Sequence, residues 1–193
     1  IFHFDVAEMG IFNFPFIWHF NTYVAAILKF FLAIVIVSMM ANEYSYGTLK
    51  QNLIDGMSKK EFILSKFLTV VLFAFVSTVF VFVMSLILGY SFSSYTEIGI
   101  VFSDLEYILA FFIKLVGFFS FCLFLGILVK RSAFALGFLF VWNIIEGIAY
   151  GILTFKIFPD SEKASNIMQF FPLEAMSNLI VEPGSRLSMI KTI

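Results

Sequence analysis

Charge is scarce in this 193-residue, 22.0 kDa chain: 13% of residues are charged, against roughly 25% in soluble domains. A small domain cannot cover its surface with so few, which excludes an ordinary water-soluble fold. Twelve basic and 13 acidic residues nearly cancel to a formal −1, so there is no basic footprint for nucleic acid. The single cysteine, Cys122, lies in an apolar run, which excludes a disulfide framework and a thiolate metal cluster. No Gly-x-x-x-x-Gly-Lys-[Ser/Thr] loop occurs, so the chain cannot cradle ATP phosphates in the P-loop manner. His3 and His19 have no His-Glu-x-x-His pattern around them and read as interfacial residues. With no nucleophile elbow and no paired-carboxylate site either, neither an enzyme nor a bound metal or cofactor is expected. Internal repeats and low-complexity tracts are absent.

What is present is hydrophobe: 61% of residues, among them 29 phenylalanines, with a mean hydropathy of +1.01. Such a composition excludes disorder, which needs low hydrophobicity. The bilayer is the solvent, and the expected fold is an all-α polytopic bundle forming a single transmembrane domain. Segments 21–42, 59–90, 104–129 and 132–157 each exceed the roughly 20 residues that cross a hydrocarbon core as a helix. Lys and Arg orient them. Residues 1–20 and the loop 91–103 contain none, the stretch 43–58 with the start of the next helix holds Lys50, Lys59, Lys60 and Lys66, and the hinge 130–131 is Lys-Arg. The two basic connections therefore face the cytoplasm. Segment 158–193 then lies outside, and after Phe155 Lys156, Lys163, Arg186 and Lys191 weaken the bias. Since Ile1 is not Met and would start outside, a further helix is expected beyond each end, six spans in all.

The stretch 43–66 is the most informative. Taken as a helix, Tyr46, Leu49, Leu53, Ile54 and Met57 fall in one arc, with Thr48, Gln51, Asn52 and Asp55 opposite and Lys50 as the exception. Gly56 suits the left-handed end of that helix. Ser58-Lys59-Lys60-Glu61 is a capping box that starts the next one, flanked by Met57 and Phe62 at staple spacing. A short amphipathic helix, a tight break and a protruding membrane helix make an elbow. It offers a knob to a cytoplasmic partner or lies along the lipid headgroups; pattern alone leaves both open.

The run Glu43-x-x-x-Gly47-Thr48, then Gly56-x-Ser58-Lys59-Lys60-Glu61-Phe62 and Ser65-Lys66, resembles the signature of ABC-2 type transporter permeases. That family often has Pro where this chain has Gly56 and Arg where it has Lys59. The resemblance implies a permease subunit in the inner (cytoplasmic) membrane of a bacterium. It would work as a homo- or heterodimer with a second permease, in export or import, with ATP and Mg in a separate ATPase subunit; export is expected here, and the Phe-rich lining suits an amphipathic substrate. It also implies an ATPase-coupling role for Glu43, Tyr44, Gly47, Thr48, Asp55, Gly56, Ser58, Lys59 and Lys66.

Lys29, Lys114 and Glu146 sit inside spans, where a charge costs roughly 2.5–3.5 kcal/mol on insertion scales. At 1.5 Å per residue all three fall about 10–13 Å from the outer surface. Glu146 is expected to pair with Lys114 or Lys29; alternatively the lysines snorkel outward separately. An ion-gradient carrier switched by Glu146 is the alternative function. Trp18, Tyr23, Tyr90 and Tyr107 suit an interfacial aromatic belt, Ser103 to Glu106 a second capping box, and Gly147-x-x-x-Gly151 a close helix approach. Beyond Phe155, Pro159-Asp160-Ser161 opens one short helix, ending at Pro172. A second runs from Pro172 to Val181 before Pro183-Gly184; the pair is expected to be re-entrant or interfacial. By the resemblance this is an extracellular gate.

Overall fold

A computed structural model describes residues 11–157, 161–180 and 182–184. The readings of His3, Pro159, Asp160, Arg186, Lys191 and the apolar end lie outside those residues. Among the described residues all regular structure is helical, with no strand. The helices are α1 (Phe16–Ser45), α2 (Thr48–Ile54), α3 (Lys59–Phe92), α4 (Ile98–Val101), α5 (Glu106–Val129), α6 (Ser132–Ile152), α7 (Ser161–Met168) and α8 (Pro172–Ser177). A π-helical turn, Leu153–Ile157, extends α6. Four stretches are long and apolar enough to cross a membrane: Phe16–Ser45, Lys59–Phe92, Ile98–Val129 and Ser132–Ile157. Long, predominantly apolar runs dictate this, since in lipid a single segment satisfies its own backbone only as a helix. The chain is thus an integral membrane protein by composition and helix length.

Several boundaries differ from those the sequence predicts. Helix α1 is longer at both ends than 21–42 and takes in Glu43 and Tyr44. The loop 91–103 contains the one-turn α4, and α5 starts at Glu106 because Ser103 does not cap it. The Ser103 hydroxyl turns back and donates to the Ile100 carbonyl at 2.9 Å. Pro172 is the first residue of α8, and α8 ends at Ser177, short of Val181.

The chain packs as two units, one from residues 11–28 with 75–113, 180 and 182–184, the other from 29–74 with 114–157 and 161–179. The first is centred on Phe14, Ile17, Trp18 and Val101. Trp18 is fully buried rather than interfacial. Its indole N–H donates to the Val101 carbonyl at 2.6 Å and its ring stacks on Phe82 at 5.4 Å. A buried indole needs such a partner. His19, also read as interfacial, is buried with its ring stacked on Tyr107 at 4.3 Å. Gly89 is required here, because a methyl at that position would run into the Phe14 ring.

In the second unit Phe118, Phe119 and Leu115 of α5 are fully buried, and Phe118 meets Phe30 edge-on at 5.2 Å. Helices α5 and α6 are joined by Lys130, whose φ of 60° makes a one-residue left-handed hinge, and by the extended Arg131. Gly147 and Gly151 have nothing near enough to meet an added methyl among the described residues, so they mark no close approach between those residues.

Candidate functional site

Two charged constellations lie in the second unit, one at the elbow and one around α8. The elbow is built from glycine hinges. Gly47, φ +72°, separates α1 from α2, and Gly56, φ +104°, separates α2 from α3. Neither has any atom within 4 Å of an added Cβ, so backbone conformation alone demands glycine. Gly56→Ala is therefore expected to destabilise the elbow by about 1–2 kcal/mol without any clash. A thermal-unfolding series with Gly56→Ala and Gly47→Ala, against Gly137→Ala as an unstrained helical control, measures it.

The capping box closes as the spacing predicts. The Ser58 N–H donates to the Glu61 carboxylate at 2.8 Å, and the Glu61 N–H donates to the Ser58 hydroxyl at 3.2 Å. Asp55 is the exposed C-cap residue of α2, its N–H bonded to the Gln51 carbonyl. Lys59 opens α3.

Glu43, Thr48 and Lys66 come together. Lys66 forms an ion pair with one Glu43 oxygen, and the Thr48 hydroxyl donates to the other. Among the described residues this is the one ion pair, and it ties the end of α1, the start of α2 and the second turn of α3 into a clasp. Tyr44 turns inward, its hydroxyl donating to the Ile127 carbonyl of α5 at 3.2 Å, with the Lys130 ammonium 5.7 Å from its ring centroid. It braces the elbow rather than facing outward. The apolar arc of α2 divides: Leu49 and Leu53 face a cleft, whereas Tyr46 and Ile54 are 78% and 83% exposed. The helix covers only Thr48–Ile54, so Tyr46 and Met57 of the expected arc lie beyond its ends and the single-helix arc does not form.

The second constellation corrects the expected ion pair. Glu146 is 3% exposed but meets neither lysine. Its carboxylate accepts from the backbone N–H groups of Leu173 (3.3 Å) and Glu174 (2.8 Å) and from the indole N–H of Trp142. Those amides belong to the first turn of α8, whose N-cap residue Phe171 has no side-chain acceptor. Glu146 supplies the missing cap from α6, and Pro172 before those amides has no N–H to satisfy. At the other end the Lys114 ammonium donates to the Ser177 carbonyl at 3.2 Å. The six-residue α8 thus has an anion at its N-terminus and a cation at its C-terminus, the charges that complement a helix dipole. Too short to persist alone, it is held by both.

Lys29, 5% exposed, lies over the rings of Phe118 and Phe30 at 4.8 and 5.5 Å. The aromatic faces, not a carboxylate, meet its ammonium. Sequence reasoning missed Trp142 as a Glu146 partner, although its i−4 position was a usable signal. The α8 amides carried no signal, because backbone donors have no letter of their own.

Burial, and after it the Glu146 carboxylate, raise the Glu174 carboxyl above its ordinary range. A raised folded-state value means that stability is present at low pH and lost as pH rises through it. Glu174→Gln is accordingly expected to slow amide exchange across 172–177 in alkaline solution and to change little in acid.

No curated protein and no solved structure matches the chain. A family described as a protein of unknown function matches it over residues 5–187, and the chain therefore belongs to that family, DUF2705.

Proposed function

We propose that this chain is the transmembrane permease subunit of an ABC transporter of the ABC-2 type. It works as a dimer with a second permease in a bacterial cytoplasmic membrane, exports an amphipathic substrate and draws energy from a separate ATPase subunit that holds ATP and Mg. One observation carries the reading: Glu43, Thr48 and Lys66, the polar residues of the motif that suggests the family, close on one another in the clasp. The hinges at Gly47 and Gly56 bracket α2, and Ile54 at its end with Tyr46 just before the first hinge makes a small exposed apolar knob. Docked on the ATPase from the cytoplasm, α2 receives the displacement that accompanies ATP binding. The clasp passes it to α1 and α3, and α3 is 34 residues, about 51 Å, well beyond a core of roughly 30 Å. The helices of the second unit would respond, with α7 and α8 on the outer side.

Co-expression with a candidate ABC ATPase subunit from the same organism tests the proposal. The two are expected to purify as a stoichiometric complex, and Tyr46→Ala with Ile54→Asp to release the ATPase while membrane insertion is unchanged. Transport by the purified chain alone in liposomes, driven by an ion gradient, would overturn it and favour the carrier reading. That reading has no comparable support, because the oxygens of Glu146 are engaged by α8 and Trp142.

A further inference from the structure

A cleft of about 170 Å³ lies beneath α2, walled by Tyr44, Leu49, Leu53, Phe62, Ile63 and Ile127 with Lys59 at its rim. It is open on one side and not an enclosed void. It holds several waters' worth of space, yet apolar walls give water few of the two to four partners it needs. The cleft is shaped for an apolar occupant. Around it the charge is unbalanced. Residues 41–66 with 130–131 carry six cations against three carboxylates. Glu43 is committed to Lys66 and Thr48, Glu61 to its own helix cap, and Asp55 is exposed at the end of α2. Lys59 and Lys130, the latter over the ring of the cleft residue Tyr44, have no carboxylate partner among the described residues.

We infer that this cleft binds one anionic phospholipid, an acyl chain lying beneath α2 between Leu53 and Phe62 and the headgroup phosphate between Lys59 and Lys130. A zwitterionic lipid would fill the apolar space but bring a cation along with its phosphate, so that no net negative charge meets the two lysines, and free phosphate would meet the cations but leave the space unfilled. Basic pockets between membrane helices at the headgroup level recognise anionic lipids by this combination. The inference needs only that the chain sits in a bilayer and stands apart from the ATPase reading.

The test uses the full chain, without any ATPase subunit, in nanodiscs of mixed phosphatidylglycerol and phosphatidylcholine. Native mass spectrometry after transfer to detergent counts the retained lipid. One phosphatidylglycerol per chain is expected. Retention should fall about tenfold, the equivalent of 1.4 kcal/mol, in Lys59→Gln/Lys130→Gln and again in Leu53→Trp, whose ring occupies the cleft. Lys59→Arg/Lys130→Arg should keep it, and Leu49→Phe blocks the same space should Leu53→Trp not purify. Equal retention of phosphatidylcholine, or full retention in both cleft-filling variants, would overturn the inference. So would loss of lipid in the Arg pair, because arginine preserves the charge that the headgroup needs.

Discussion

In Glu146→Ala, amide exchange across 172–177 is expected to accelerate by about two orders of magnitude, with α8 detached while the four long helices persist. The size follows from what the carboxylate does. It accepts from two backbone N–H groups, one buried and one partly buried, and a buried group left without a partner costs roughly 1–3 kcal/mol. Losing both amounts to about 3 kcal/mol, or roughly a hundredfold in the opening equilibrium. Glu146→Gln keeps an acceptor oxygen but turns an amide N–H₂ toward the second donor, so about half of that effect is expected. Lys114→Met frees only the Ser177 carbonyl and should cost about 1 kcal/mol. Emission from Trp142, whose indole N–H loses its acceptor, offers a second readout. Unchanged exchange in Glu146→Ala would show that α8 is held by its apolar contacts instead.

The clasp gives the other large effect, this time on activity. With the ATPase partner bound, Glu43→Lys is expected to abolish most of the permease-stimulated ATP hydrolysis. It sets two ammonium groups against each other where an ion pair ties α1 to α3. Lys66→Glu alone should do the same. The exchange Glu43→Lys/Lys66→Glu should restore part of the stimulation, because the pair re-forms with its ends reversed; the Thr48 bond to the carboxylate is still lost. Partner-independent stability should move far less, about 1 kcal/mol, as expected for a pair that is partly open to solvent. If each single variant left stimulation intact, the clasp would be a local brace without a part in coupling.

Features set by neighbouring residues were legible in the sequence. Hydropathy located the four long helices, and the reciprocal Ser58–Glu61 cap lies within one turn, so its spacing was enough. The turn at Gly56 was legible for the same reason. The Glu43–Lys66 pair spans 23 residues and was suggested only as parts of a motif, not as a contact. Glu146 was identified as needing a partner, and the partner was wrong. Intramembrane lysines were the visible candidates, whereas the donors proved to be main-chain amides 27 and 28 residues away. Trp18 was misplaced for a related reason. An aromatic near the start of an apolar run suggests an interface, and nothing local announces a carbonyl acceptor 83 residues on.

The capping of α8 from distant spans also dictates an order of events at the ribosome. Trp142 precedes Glu146 by one helical turn, but the amides of Leu173 and Glu174 do not yet exist when α6 is made. At about 5–20 residues per second they arrive roughly one to five seconds later, and the Ser177 carbonyl follows Lys114 by roughly three to thirteen. During that interval the Glu146 carboxylate has the Trp142 indole but not yet the α8 amides, so its segment enters the bilayer most cheaply once α8 has been synthesised.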